Sequence, residues 1–144
     1  MKSLNYQKAV IAGIAGTLAF TAVLLIGPMM GMPKMDMGQM LGPMNPMVKM
    51  PYWTGWVMHF MIGIVLTGIY GAFFLNILPS NSWKRGLVWA LIPFVMVQLT
   101  LVPMMGMGVF SGGDVKMIVG SLMTHLAYGA VAGLVYGDGN AAES

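Results

Sequence analysis

His59 and His125 are the only histidines in the chain, and they fall at equivalent points of an internal repeat. One copy reads Met58-His59-Phe60-Met61-Ile62-Gly63 and runs on to Tyr70-Gly71. The other reads Thr124-His125-Leu126-Ala127-Tyr128-Gly129 and runs on to Tyr136-Gly137. One constant offset pairs His with His, Gly63 with Gly129 and Tyr70 with Tyr136. Both histidines lie inside apolar stretches. An ionisable side chain is expensive in hydrocarbon, so one found there marks a functional site. Neutral imidazole ligates copper, zinc and haem iron.

Methionine supplies the second set of donors. The chain holds 18 among 144 residues. They crowd between Pro28 and Pro51, at Met29, Met30, Met32, Met35, Met37, Met40, Met44, Met47 and Met50. Met104, Met105 and Met107 fall at the same membrane level. Thioether sulfur is soft and selects Cu(I). The spacing Met30-x-Met32-x-x-Met35-x-Met37-x-x-Met40 resembles the Met-rich segments of periplasmic copper-handling proteins. Soft donors thus concentrate at one end of the molecule. The expected metal set is His59 and His125 with Met29, Met30, Met32, Met35, Met37, Met40, Met104, Met105 and Met107. A b-type haem between the two imidazoles is the alternative cofactor. A third reading has each histidine bonding a neighbouring helix and holding nothing. Methionine equally fills irregular gaps or forms a partner surface.

Composition dictates the elements that must position these residues. The chain is 58% hydrophobic and 8% charged, with a mean hydropathy of +0.78. Soluble domains carry roughly 25% charged residues, so the expected class is an all-α integral membrane protein. Four apolar runs predict spans at about 9–30, 53–77, 86–109 and 116–136, within one domain covering 1–144. A Met-rich loop, 28–51, joins the first two. The polar stretch from Pro79 to Arg85 is a turn, and the tail from Asp138 is frayed.

The repeat extends beyond the histidines. Pro28-Met29-Met30-Gly31-Met32 ends span 1, and Pro103-Met104-Met105-Gly106-Met107 ends span 3. The expectation is a four-helix bundle of two parallel-related hairpins with a pseudo-twofold axis along the membrane normal. Stripes of small residues run from each histidine: Gly63, Thr67 and Gly71 from His59, and Gly129, Gly133 and Gly137 from His125. Such stripes let helix backbones approach closely. If they face each other, spans 2 and 4 are too close for haem; if they face spans 1 and 3, haem regains ground. Pro93, Pro103 and Pro28 should kink or end their helices.

Charge gives the orientation, and aromatics mark the span edges without choosing a direction. Lys2, Lys8, Lys84 and Arg85 share one side; Lys34, Lys49 and Lys116 share the other. The positive-inside rule then places both termini in the cytoplasm. Tyr52, Trp53 and Trp56 are expected at one interface, and Tyr6, Trp83, Trp89 and Tyr136 at the other.

Several functions are excluded or unsupported. Without cysteine there is no disulfide or thiolate chemistry. No basic stripe suits nucleic acid. The acids Asp36, Asp114, Asp138 and Glu143 avoid the span centres, which argues against a carboxylate relay. Ser111 or Ser121 with His125 and Asp114 is too local for a triad.

The string Phe94 to Met107, followed by Gly-Ser-Leu-Met-Thr-His-Leu-Ala-Tyr-Gly, resembles uncharacterised bacterial inner-membrane proteins of the YagU-like kind, as does Trp56 to Gly71. The resemblance implies a bacterial inner membrane and four helices, and it assigns no activity. The expected role is non-enzymatic: a membrane protein that binds copper(I) ahead of haem. The rival is an accessory subunit of a larger, respiratory-type membrane complex, with the methionine loop as its docking surface. Lipid bilayer, other membrane subunits or a second copy are the implied partners.

Overall fold

The protein, seen in a computed structural model that describes residues 4–77 and 81–138, is built of helices joined by loops, with no strand among those residues. Helix α1 covers Tyr6–Ile26, α2 Met37–Leu41, α3 Tyr52–Ile69, α4 Ser82–Leu99, α5 Leu101–Met104 and α6 Val115–Tyr136. Four segments are long and apolar enough to cross a bilayer: Tyr6–Met30, Tyr52–Phe74, Ser82–Met104 and Val115–Tyr136. At 1.5 Å per residue each reaches or exceeds the roughly 30 Å of hydrocarbon. Helices form because lipid offers no partner for backbone N–H and C=O groups, so each segment must satisfy its own. Polar side chains start them outside the apolar runs. Asn5 accepts from Lys8 N–H at 2.9 Å. Asp114 accepts from Lys116 and Met117 N–H at 3.0 and 3.2 Å.

The spans differ from the sequence expectation mainly at their ends. Span 3 begins at Ser82 and stops at Met104; Val109–Gly113 forms a separate turn. Pro93 sits inside α4 without ending it. The break comes at Thr100 (φ −121°, ψ −77°), where Pro103 has no N–H to carry the ladder on. Span 2 finishes in a π-turn at Tyr70–Phe74. Pro79, Ser80, Lys2, Glu143 and the tail beyond Asp138 lie outside the described residues.

Packing is inside-out relative to a soluble protein. Small residues make up much of the interior, with Ala12, Gly13, Gly16, Thr17, Gly63, Thr67 and Gly129 buried, and aromatic side chains such as Tyr70, Phe94 and Tyr128 are buried among them. The large apolar side chains face outward, as with Leu18, Leu25, Met61, Val65 and Leu134. That distribution suits a lipid bilayer as solvent. The close-packed pairs are α1 with α3, α1 with α6, and α4 with α6. At the α4–α6 crossing, a Cβ on Gly86 would strike the Gly129 carbonyl and come within 3.0 Å of Gly133 Cα. Only glycine permits that approach. Trp89 and Tyr136, expected in the interfacial belt, are instead 4% and 2% exposed. They pack with Tyr70 in an aromatic cluster that closes this end of the bundle.

The two span ends carrying Pro-Met-Met-Gly-Met fold the same way. Gly31 (φ 90°) and Gly106 (φ 82°) both adopt the left-handed conformation. Gly31 N–H bonds the Pro28 carbonyl, and Gly106 N–H bonds that of Pro103. Met32 N–H reaches back to Gly27 at 3.0 Å, and Met107 N–H reaches back to Val102 at 3.2 Å.

Four spans put the 32–50 loop and the span 2–3 turn on opposite sides of the bilayer. With Met44→Cys and Asn81→Cys introduced separately, an impermeant thiol reagent on one side should label only one. Labelling of both from the same side contradicts four crossings.

Candidate functional site

A cavity of about 130 Å³ occupies the bundle at the end that carries the Met-rich loop. It forms because spans 2 and 3 are not a close-packed pair, while α1 and α6 bridge them. His59 from span 2 and His125 from span 4 both lie on its wall, and each is 8% exposed. Phe20 of α1 joins them. Its ring meets His59 edge-on at 4.9 Å and His125 edge-on at 5.3 Å between centroids. The imidazoles are therefore no farther apart than those two distances combined. Trp56 and Phe60 complete the ring contacts of His59, and Phe94 those of His125.

Hydrogen-bond arithmetic assigns each ring. Thr21 has one hydroxyl proton, which it donates to the Thr17 carbonyl at 2.8 Å. The 3.3 Å contact between His59 Nε2 and Thr21 Oγ1 is then N–H donating to oxygen. That leaves the lone pair of His59 on Nδ1. His125 is arranged the other way round. Its Nδ1–H donates to the Ser121 carbonyl at 2.7 Å, so its lone pair is on Nε2. A carbonyl or hydroxyl holding one ring nitrogen while the other stays basic is the support that metal-binding histidines use.

The methionines divide. Met35, Met37, Met40 and Met107 line the cavity with the histidines, and so does Met117 at the start of α6, which sequence reasoning passed over. Its position in the first turn of a span carried no signal beyond ordinary packing. Met29, Met30 and Met104 face outward, at 86%, 73% and 52% exposure. The 3₁₀ turn at the end of span 1 rotates Met29 and Met30 away from the bundle axis. Met32 and Met105 are half-buried and off the wall; Met32 packs over Gly27. Among the described residues no cluster of three or more His, Asp or Glu side chains forms. An ion held here therefore relies on thioether as well as imidazole.

The loop that brings these methionines is docked as a lid. Asp36 caps α2 by accepting from Gln39 N–H at 3.2 Å and accepts from the Tyr52 hydroxyl at 3.1 Å. Gly38 lies against α3: a Cβ on Gly55 would meet the Gly38 carbonyl, and a Cβ on Gly38 would meet the Trp56 and Tyr52 rings. Polar groups also line the cavity. Gln98, 1% exposed, accepts from the Ser111 hydroxyl at 3.0 Å. Ser111 reaches it from a left-handed turn in which Phe110 and Ser111 have φ 47° and 54°. Non-glycine residues adopt this conformation at a cost, and such outliers cluster at functional sites. At the cavity floor, Tyr128 donates to the Gly63 carbonyl at 2.7 Å and sits 2.7 Å from Thr67 Oγ1. Gly63 abuts Thr17 of span 1, and Gly129 abuts Gly86 and Ala90 of span 3, but Gly71, farther along the His59 row, abuts Tyr136 of span 4. Asp114, once grouped with Ser111, Ser121 and His125, is exposed and occupied as the α6 cap.

No curated protein and no solved structure matches the chain. A family model without a YagU-like name or an activity matches residues 4–143, and the chain belongs to that family of unknown function, DUF6789.

Proposed function

We propose that this protein is a non-enzymatic membrane protein that binds a soft metal ion, copper(I), in the cavity between its spans. The observation that carries the reading is the convergence of both histidines with Met35, Met37, Met40, Met107 and Met117 on one wall. Each imidazole keeps one basic nitrogen, and the mixed N,S donor set suits Cu(I). The volume of about 130 Å³ supports an ion over a macrocycle, since pockets for drug-sized ligands run roughly 300–1,000 Å³. The glycine rows turn toward spans 1 and 3 at Gly63 and Gly129, the arrangement in which haem stays the alternative, while Tyr128 bridges spans 2 and 4 beside the histidines.

The reading includes the hairpin symmetry, supported by the repeated Pro-Met-Met-Gly-Met turn with its matching hydrogen bonds. It also includes the bacterial inner membrane, from the YagU-like resemblance, with both termini cytoplasmic and the cavity at the outer end. Lys34, Lys49 and Lys116 lie at the cavity end; Lys8, Lys84 and Arg85 lie at the other. The rival reading, an accessory subunit, draws support from Met29, Met30, Met44 and Met47, which face away from the cavity.

Purified full-length protein in lipid, exposed to buffered Cu(I) and washed, should retain about one ion per chain. Its visible spectrum should lack a Soret band. A Soret band in gently isolated protein supports haem instead. Failure to retain either group makes the histidines interhelical ties, as the Thr21–His59 contact already permits, and the accessory-subunit reading then takes first place.

A further inference from the structure

We propose that the cavity sorts cations by charge as well as by softness, admitting monovalent soft ions and refusing divalent ones. This rests on the soft-metal reading above and adds a selection rule to it. The donors on the wall are neutral imidazole and thioether, and every described carboxylate is engaged elsewhere. Asp36 caps α2 and holds Tyr52. Asp114 caps α6 through two backbone N–H groups. Asp138 lies 3.5 Å from Arg85 at the far end of the bundle. The Tyr128 hydroxyl on the wall donates to the Gly63 carbonyl.

Imidazole alone does not favour Cu(I). In the ordinary order of divalent affinities, nitrogen sites prefer Cu²⁺ and also take Zn²⁺. What opposes those ions here is self-energy. The cost of moving an ion out of water grows with the square of its charge, so a dication pays about four times the penalty of a monocation of the same size. Dication sites in proteins commonly offset that cost with carboxylate or thiolate ligands, or, in all-histidine zinc sites, with a bound water that ionises. This wall has neither carboxylate nor thiolate among the described residues, and its surroundings are apolar span interiors. Gln98 sharpens the point. It is fully buried on the wall and presents an amide where a carboxylate would be nearly isosteric. Its Oε1 accepts from Ser111, as a glutamate oxygen would.

The test uses the full chain in lipid nanodiscs, titrated separately with Ag⁺ (an air-stable monovalent soft ion), Zn²⁺ and Cu²⁺ and read by equilibrium dialysis with metal analysis. Wild-type protein should hold Ag⁺ and bind Zn²⁺ and Cu²⁺ about 100-fold more weakly or worse. Gln98→Glu should raise Zn²⁺ affinity at least about 10-fold by placing a negative charge beside the ion. Ser121→Asp repeats the test from α6 should Gln98→Glu fail to fold. Zn²⁺ held as tightly as Ag⁺ by the wild type overturns charge selection and leaves the His/Met site standing. Retention of no ion at all overturns both.

Discussion

His59→Leu and His125→Leu should each lower Cu(I) affinity by more than about 100-fold, beyond the roughly 10–100-fold that loss of a mere supporting group costs. The expectation follows from the wall. Both rings border one small cavity, each offers one basic nitrogen, and no third imidazole or carboxylate joins them. Leucine is acceptable to lipid and to the interior, so the bundle should persist in both variants. Thr21→Val should have the smaller effect, because it removes only the group that orients His59. Met29→Leu and Met30→Leu should change nothing, since both side chains face outward. Competition with a Cu(I) chelator measures all five. Unchanged affinity in either histidine variant means that the ring is not a ligand.

A leucine substitution at the α4–α6 crossing should have the largest effect on stability. Gly86→Leu and Gly129→Leu each push a side chain against the facing backbone, where no flexible atom can give way. The expected loss is about 2–3 kcal/mol, the upper part of the range for overpacked cores, and it should be read as a lower SDS concentration for unfolding from micelles. Gly68→Ala is the control, because a Cβ there meets nothing within 4 Å and alanine is the better helix former. If Gly86→Leu unfolds at the same point as Gly68→Ala, the close crossing is not what holds spans 3 and 4 together. The variant also reports on the site, since α4 carries Gln98 and α6 carries His125, and both line the cavity.

Much of this arrangement is readable from residue order alone. Apolar run length located four spans because lipid demands full helical turns, and the fixed offset between His59 and His125 placed both at one depth. Their inward direction was already implied by the small residues below them, since Gly63 and Gly129 must face a helix. What residue order could not supply is the outcome of turns. Met29 and Met35 look equivalent as letters, yet one 3₁₀ turn and one left-handed glycine separate an outward side chain from a wall residue. Gln98 and Ser111 meet only because Phe110 and Ser111 adopt left-handed backbone, which no local pattern announces. Trp89 and Tyr136 fit the interfacial belt by composition, but the aromatic cluster around Tyr70 claims them. Met117 was hidden for the opposite reason: a lone methionine in a span is ordinary filler until the loop folds over it.

The central claim is that imidazole and thioether from the cavity wall bind one copper ion together. Copper K-edge X-ray absorption of the Cu(I)-loaded wild-type protein tests it most directly. The account predicts both nitrogen and sulfur in the first shell, at about 2.0 Å and 2.3 Å by analogy with other late first-row ions. His125→Leu should then lose part of the nitrogen while keeping sulfur. A first shell of sulfur alone, unchanged in His59→Leu and His125→Leu, would place the ion on the loop and contradict the account.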